Sequence, residues 1–576
     1  MILRFRPIAT SIQQQCGRTA TQQLYGTINL AMGTRRRVKR NAYSTSKGSG
    51  DKDVKSKEKP APSNTEEKTP AKTSSGSNKR SLTFAIGGVL TLLGVAGYTF
   101  LRHPGNKGID DVGIATTLQQ PATQTPLESV AAKHQDARQK LDALKRRERK
   151  EEARRLGMLT EKEVDAILTA KENSWGLKGS QGIKLQVDTC QVSSNEPIED
   201  YMVWKTLGTE SSVDQQSAAR YMFGVFDGHA GHVCAEQIAG RIGPMLDTSL
   251  EIIKQMPVAG SEEKTIIANS NGSRKLQSTI KQLRREAGLD WDHTSLALTA
   301  TFINMDYELV DGALAQYRKL QDASKIDELL GPAVAGSCGL VAVVDTESNE
   351  VVVANTGDSR ALLGVRLKNG TWKAVRLSED QTGRNKNELA RMQREHPGEE
   401  HAVISRGRVL GALMPTRAFG DSRYKWPLEA QQDLFPIMHS RGHKYATTPP
   451  NYITPPYVTA KPVIVRHQLN ENDKFIVIAS DGLYDQLSDA EVIDTVAQWY
   501  EANRKAVDSG GTSTLITPDK NAATHLIRTA LSTDHQGRRN DTVIRTLLAI
   551  PPPHSRRFRD DISVTIVTLD RDNNKE

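Results

Sequence analysis

YMFGVFDGHAGH, residues 221–232, decides how the rest of this 576-residue chain is read. Tyr221, Phe223 and Val225 alternate with Met222, Gly224 and Phe226, so a strand through them has no polar face and belongs inside a layered fold. It stops on Asp227. A carboxylate at the mouth of a buried strand is costly unless it is paired or holds a cation, and Gly228 beside it permits close backbone approach by an ion or substrate. A single Asp-Gly is more often a plain turn signal. Recurrence points the other way. FIVIASDGLYD at 475–485 runs a second apolar strand into Asp481, Gly482 and Asp485, and VVVANTGDSR at 351–360 carries Asp358 near its end. Asp560 and Asp561 directly precede the alternating Ile562, Val564 and Ile566. Oxygen-only ligands gathered from separated strand ends are what the hard ions Mg²⁺ and Mn²⁺ prefer.

IEDY at 198–201, FGVFDGHAG at 223–231, GSCG at 336–339, NTGDSRALLG at 355–364, RAFGD at 417–421, ASDGLYD at 479–485 and RDDISVTIV at 559–567 come in the order found in metal-dependent Ser/Thr protein phosphatases of the PP2C class, which this part of the chain resembles. Within that class, LTEKEVDAIL at 159–168, NEPIED at 195–200, EHPGE at 395–399, TPPYVTAKP at 454–462 and NAATHLIR at 521–528 resemble the pyruvate dehydrogenase phosphatases. The resemblance implies an α+β fold: a PP2C-like sandwich of two antiparallel β-sheets flanked by α-helices, with metals in a cleft at one end. Leu340 to Val344 and Val351 to Ala354, separated by the polar TESNE, read independently as an antiparallel hairpin. The polar stretches 258–285 and 501–519 read as surface insertions.

By the same resemblance, Asp227 bridges two Mg²⁺ or Mn²⁺ ions, Gly228 offers its carbonyl to one, and Asp481 and Asp560 bind the other. Asp560 falls at the ligand position and Asp561 where Asn is usual. Glu199 and Asp200 match an acidic pair that orders metal-bound waters, and Asp358, Asp481 and Asp485 match a weaker third site. A bridging carboxylate that holds two ions about 4 Å apart supplies an activated water in line with phosphorus. His229 is the candidate general acid, because expelling a serine or threonine alkoxide needs a proton. Arg417 and Asp421 are expected to shape the site. One departure is Asn195, which stands where many members of the class grip phosphate with arginine. An amide brings no charge and no bidentate fork, so phosphate binding is expected to lean on the metals and their waters.

The first fifty residues hold nine Lys or Arg and no Asp or Glu, and read as a mitochondrial transit peptide over 1–46. Taking those nine from the 77 bases of the chain leaves 68, equal to its 68 acids, so the net charge of +9 does not signal a nucleic-acid partner. A solvated Lys/Ser/Thr/Pro linker is expected over 47–80. LTFAIGGVLTLLGVAGYTFL at 82–101 has the length and apolarity of a transmembrane helix for the mitochondrial inner membrane. A linker and charged helix follow over 102–155, and the phosphatase domain over 156–576, opened by a capping box at Thr160 and Glu163. The more basic flank precedes the span, which leaves the domain facing the intermembrane space. A pyruvate dehydrogenase substrate requires the matrix.

Cys16, Cys190, Cys234 and Cys338 form no CxxC pair, and Arg241 is one residue too far from Cys234 for a cysteine phosphatase loop, so Cys234 reads as a small core residue. No GxxxxGK[ST] occurs. The expected partner is a phosphoprotein, such as the E1 alpha subunit of pyruvate dehydrogenase. The competing reading is a membrane-anchored binding protein that kept the fold and lost the chemistry. It would be expected to lack metal carboxylates, and every one is present.

Overall fold

Thr160 starts the fold by capping the helix Glu161–Thr169: Glu163 N donates to Thr160 Oγ1 at 3.3 Å, and Thr160 N donates to Glu163 Oε2 at 2.8 Å. Val164 and Leu168 face inward, whereas Ile167 on the same predicted face is 36% exposed. The computed structural model describes residues 157–208, 219–256, 271–287, 292–508, 519–534 and 536–571. The expected transit peptide (1–46), linker (47–80), transmembrane helix (82–101) and charged segment (102–155) lie outside the described residues. Among the described residues no helix is long and apolar enough to cross a membrane.

The strands in chain order are β1 (Asn173–Lys178), β2 (Ile183–Val192), β3 (Asp200–Leu207), β4 (Arg220–His229), β5 (Gly336–Ser337), β6 (Gly339–Asp345), β7 (Glu350–Thr356), β8 (Arg360–Arg366), β9 (Trp372–Arg376), β10 (Ile404–Ser405), β11 (Arg408–Val409), β12 (Phe419–Gly420), β13 (Val463–Gln468), β14 (Asp473–Ala479) and β15 (Ile562–Arg571). One sheet has the order β1-β2-β15-β14-β8-β9. The other has the order β12-β5-β4-β6-β7-β13, with β3 added on β4. Pairing throughout both is antiparallel.

Period-two alternation explains the layering. Tyr221, Phe223 and Val225 of β4 pack with Leu340, Val353, Ile476 and Ile478 between the sheets. Met222 and Phe226, on the other face, join a cluster with the helices Val233–Gln255, His293–Tyr307, Ile326–Val334 and Leu428–Ser440. Phe475, Val477 and Ala479 of β14 instead face Val492, Leu526 and Ile544 from helices on the opposite outer layer. The predicted hairpin is β6 and β7, with Val344 opposite Val351.

Two expectations fail. The stretch 258–285 is not simply a polar insertion, because Leu276, Ile280 and Leu283 of helix Asn271–Ala287 are buried in the helical layer. Their spacing of four and three residues makes an apolar stripe that high overall polarity disguised. Nor is the end of 501–519 surface: Asp519 is 5% exposed, paired with Arg528 at 2.8 Å.

Candidate metal centre and active site

The acidic strand ends do converge. β3 and β4 pair with Asp200 opposite Asp227, an arrangement that is destabilising for two like charges unless something neutralises them. β4 also runs past its predicted end, through Asp227 and Gly228 to His229, because Gly228 and His229 pair with Ser337 and Gly336 of β5. Ser480, one residue before Asp481, joins three strand ends: its hydroxyl donates to Asp200 Oδ2 at 2.7 Å and accepts from Ser563 N of β15 at 3.0 Å.

The two Asp-Gly glycines have a structural reason. A Cβ on Gly228 would meet the Glu199 carbonyl oxygen at 2.4 Å, and one on Gly482 would meet that of Asp561 at 2.1 Å. Each glycine therefore lets a neighbouring acidic segment lie directly against a strand end. At both positions the space that a side chain would fill is taken by neighbouring backbone.

Burial and mutual repulsion dominate the electrostatics. Burial first, then Asp481, Asp200, Asp560 and Asp358, push the Asp227 carboxyl well above the usual range. Asp481 is pushed up in the same way by burial, Asp358, Asp560 and Asp485. Asp200 is raised to about 7, by burial and then Asp561, and Asp560 to about 6, by burial against the pull of Arg556. Burial also raises Asp358, Glu199 and Asp485, and the Cys338 thiol, which donates to Asp358 Oδ1 at 3.0 Å, partly offsets it at Asp358.

This donor set fits hard divalent cations. Its atoms are carboxylate oxygens, and the buried Asp481 Oδ1 has no hydrogen-bond partner among the described residues. Among the described residues no three His, Cys, Asp or Glu side chains form a ready-made cage. Mg²⁺ rarely needs one, since it keeps several waters and takes one or two carboxylates. A cleft of about 550 Å³ opens beside Asp358, Asp481 and Asp485.

His229 Nε2 lies 2.7 Å from Asp421 Oδ2. Gly336 makes room for the pair, since a Cβ there would sit 2.1 Å from His229 Nε2 and 2.5 Å from Asp421 Oδ2. Burial lowers the imidazole, but Asp421, followed by Asp358 and Glu199, more than offsets it, so the net shift of His229 is upward. Asp421 adopts φ 52°, and its N–H donates to the Ala335 carbonyl at 2.9 Å. Arg417 bonds Glu388 at 2.7 Å and the Lys461 carbonyl at 2.6 Å, which leaves it bracing the loop.

Two roles escaped the sequence. Asp561, read there only as a neighbour of Asp560, is a clamp: its carboxylate accepts from the backbone N–H of Ser194, of Asn195 at 3.0 Å and of Glu199 at 2.9 Å. Asn195, expected to face phosphate, donates its amide to the same carboxylate at 2.9 Å. The amide is therefore already engaged by an anion of the protein itself. The subfamily signatures at 395–399 and 454–462 also meet, with Tyr457 Oη donating to Glu399 at 2.6 Å and His396 stacked on Tyr457. No periodicity could have shown either contact.

Residues 281–538 match the family Protein phosphatase 2C. The mitochondrial pyruvate dehydrogenase (acetyl-transferring) phosphatase 1 of Saccharomyces cerevisiae is 33% identical over 451 residues, covering 71% of this chain and 73% of that protein. Human mitochondrial phosphatase 2 of the same name is 32% identical over 429 residues (66% and 77%), and human phosphatase 1 is 30% identical over 454 (71% and 83%). Among solved structures, a serine-threonine phosphatase 2C from Toxoplasma gondii aligns over 69% of this chain and 99% of its own, at 17% identity and a TM-score of 0.38. The identity and coverage of the sequence relatives are sufficient: the chain belongs to the protein phosphatase 2C family, as a serine/threonine protein phosphatase of the pyruvate dehydrogenase phosphatase-like kind.

Proposed function

We propose that this phosphatase hydrolyses phosphoserine and phosphothreonine on a mitochondrial protein, the pyruvate dehydrogenase complex foremost, with two Mg²⁺ or Mn²⁺ ions and a weaker third. The observation that carries the metal reading is the crowd of carboxylates, the buried Asp200 and the half-buried Asp227, Asp481 and Asp560, each held above its usual range by desolvation and by the others. Divalent cations remove that cost. Asp227, the Gly228 carbonyl, Asp481 and Asp560 would hold two ions, Glu199 and Asp200 would orient their waters, and Asp358 and Asp485 would complete the third site. Bound there, such ions supply Lewis acidity toward phosphate and an acidified water.

The chain's own residues supply the rest. Hydrolysis moves the phosphoryl group from a side-chain oxygen to water, and the departing alkoxide needs a proton. Asp421 favours the protonated form of His229, and with Nε2 facing that carboxylate, Nδ1 is the ring nitrogen left for the substrate. The substrate and compartment are supported by the names of the relatives, which are mitochondrial pyruvate dehydrogenase phosphatases. An N-terminal presequence and inner-membrane span remain part of the proposal.

The test is phosphate release by the purified full chain. Turnover of phosphorylated pyruvate dehydrogenase that needs Mg²⁺ or Mn²⁺ and exceeds turnover of an unrelated phosphoprotein supports the reading. Turnover indifferent to EDTA would overturn the metal assignment, and equal rates on both proteins would overturn the substrate.

A further inference from the structure

A phosphate dianion in this cleft meets a rim of carboxylates, so the protein must offer it a cation of its own beside any metal. Asn195 is not free for this, because its amide is turned onto Asp561. Several arginines nearby are also committed. Arg360 is held between Asp380 and Asp489 and Arg417 bonds Glu388 and the Lys461 carbonyl, whereas Arg559, whose Nε and Nη1 have no partner among the described residues, is buried at 6% exposure. Arg556 differs. Its side chain is 50% exposed, and it pairs with Asp560, Nη2 to Oδ2 at 2.7 Å.

The turn that carries Arg556 is fixed in place. Residues His554–Arg557 form a short 3₁₀ turn just before β15, and Ser555 Oγ, fully buried, donates to the Ser194 carbonyl at 2.8 Å. Arg556 is thereby fastened to the loop that carries Asn195 and, through Asp561, to Glu199. Its charge reaches three acidic segments. It pulls down Asp560, Asp485 and Glu199, each of which burial pushes up. Paired with Asp560 just before β15 and tied to the loop that leads to Glu199, the guanidinium stands at the edge of the acidic cluster.

We propose that Arg556 grips the substrate phosphate, its guanidinium exchanging the Asp560 carboxylate for the phosphate oxygens when a cation takes Asp560. The exchange is chemically economical. Asp560 cannot serve the arginine and a divalent ion fully at once, so metal binding releases a forked donor at the place where a dianion arrives. This inference rests on the phosphatase reading above and names the residue that orients its substrate.

The experiment compares full-length wild type, Arg556→Ala and Arg556→Lys by three readouts. These are Mn²⁺ affinity without phosphate, calorimetric affinity for inorganic phosphate in saturating Mn²⁺, and KM and kcat on a phosphoserine peptide. Arg556→Ala is expected to weaken inorganic phosphate and raise KM together by roughly ten- to hundredfold, the worth of a charge-assisted pair of hydrogen bonds. Mn²⁺ affinity should stay equal or tighten, because a competing cation has left. Arg556→Lys should recover part of the phosphate affinity but not the fork. Unchanged phosphate affinity in Arg556→Ala would overturn the proposal. So would a loss of Mn²⁺ affinity as large as the loss for phosphate, which would make Arg556 only a prop for Asp560. If wild type binds Mn²⁺ and phosphate yet hydrolyses no phosphoserine peptide, the function reading fails while the phosphate arm still reports on Arg556.

Discussion

His229 Nε2 and Asp421 Oδ2 sit 2.7 Å apart although 192 residues separate them in the chain. The carboxylate is 3% exposed, and its charge leads the neighbouring acids that raise the imidazole against the effect of burial. Without Asp421, burial alone would favour the neutral ring.

Asp421→Asn should therefore impair the proton donor. We expect kcat on an alkyl phosphate to fall about 10²-fold, the usual worth of general acid catalysis, with a much smaller loss on an aryl phosphate whose leaving group needs no proton. Combining it with His229→Gln should add little, because both remove one function. Equal losses on the two substrates would detach this pair from leaving-group protonation.

Gly336→Ala tests the same pair sterically. The new methyl would fall on His229 Nε2, so the imidazole must move even though neither partner is replaced. The expected result is the leaving-group selectivity of Asp421→Asn with Mn²⁺ affinity retained, read by steady-state rates and metal titration.

Asp227→Asn and Asp481→Asn should abolish turnover at saturating Mn²⁺, by removing charge that the ions need. The metal-free variants should melt no lower than metal-free wild type near pH 7, since each substitution relieves a buried carboxylate crowded by its neighbours. A calorimetric melt in EDTA checks this, and a clear drop in melting temperature would show that these carboxylates are structural.

The pH dependence of the metal-free protein follows from the same crowding. Asp200 at about 7 and Asp560 at about 6 stand above the ordinary carboxyl value of 3.8, so the folded state binds more protons than the unfolded one between about pH 4 and 7. The stability they confer is present below the unfolded value and lost as pH rises through the folded values. His229, also raised, adds in the same direction. Melting in EDTA should thus occur at higher temperature near pH 5.5 than near pH 7.5, and Mg²⁺ should restore the loss at the higher pH. A melting temperature that rises with pH in EDTA would contradict the electrostatics described here.

Asp561→Ala should cost far more stability than Asn195→Ala. The first leaves one buried and two partly buried backbone N–H groups and an amide without an acceptor, a loss of several kcal/mol, whereas the second removes one hydrogen bond to a carboxylate, about 1.5–3 kcal/mol. Denaturant titration measures both. If Asn195→Ala instead leaves stability intact and raises KM, the amide faces phosphate in the working enzyme.

The sequence by itself determined the layers and the acidic strand ends. Period-two alternation in Tyr221 to Phe226 and Phe475 to Ala479 fixes which faces are buried, and a strand running into a carboxylate is visible wherever it occurs. The capping box at Thr160 was legible for the same reason, being local chemistry at fixed spacing. Only the tertiary structure decided what those carboxylates touch. Asp560 and Asp561 are adjacent and identical in type, yet one pairs with Arg556 and the other binds the loop at 194–199, because successive residues entering a strand point to opposite sides. Asp421 and His229 meet through a turn with positive φ and a glycine on a neighbouring strand, and Arg556 reaches the cluster by way of Ser555 and Ser194. The contacts of Asp421, Asp561 and Ser555 span from 192 to 367 residues of chain, and no local pattern carries information over such distances.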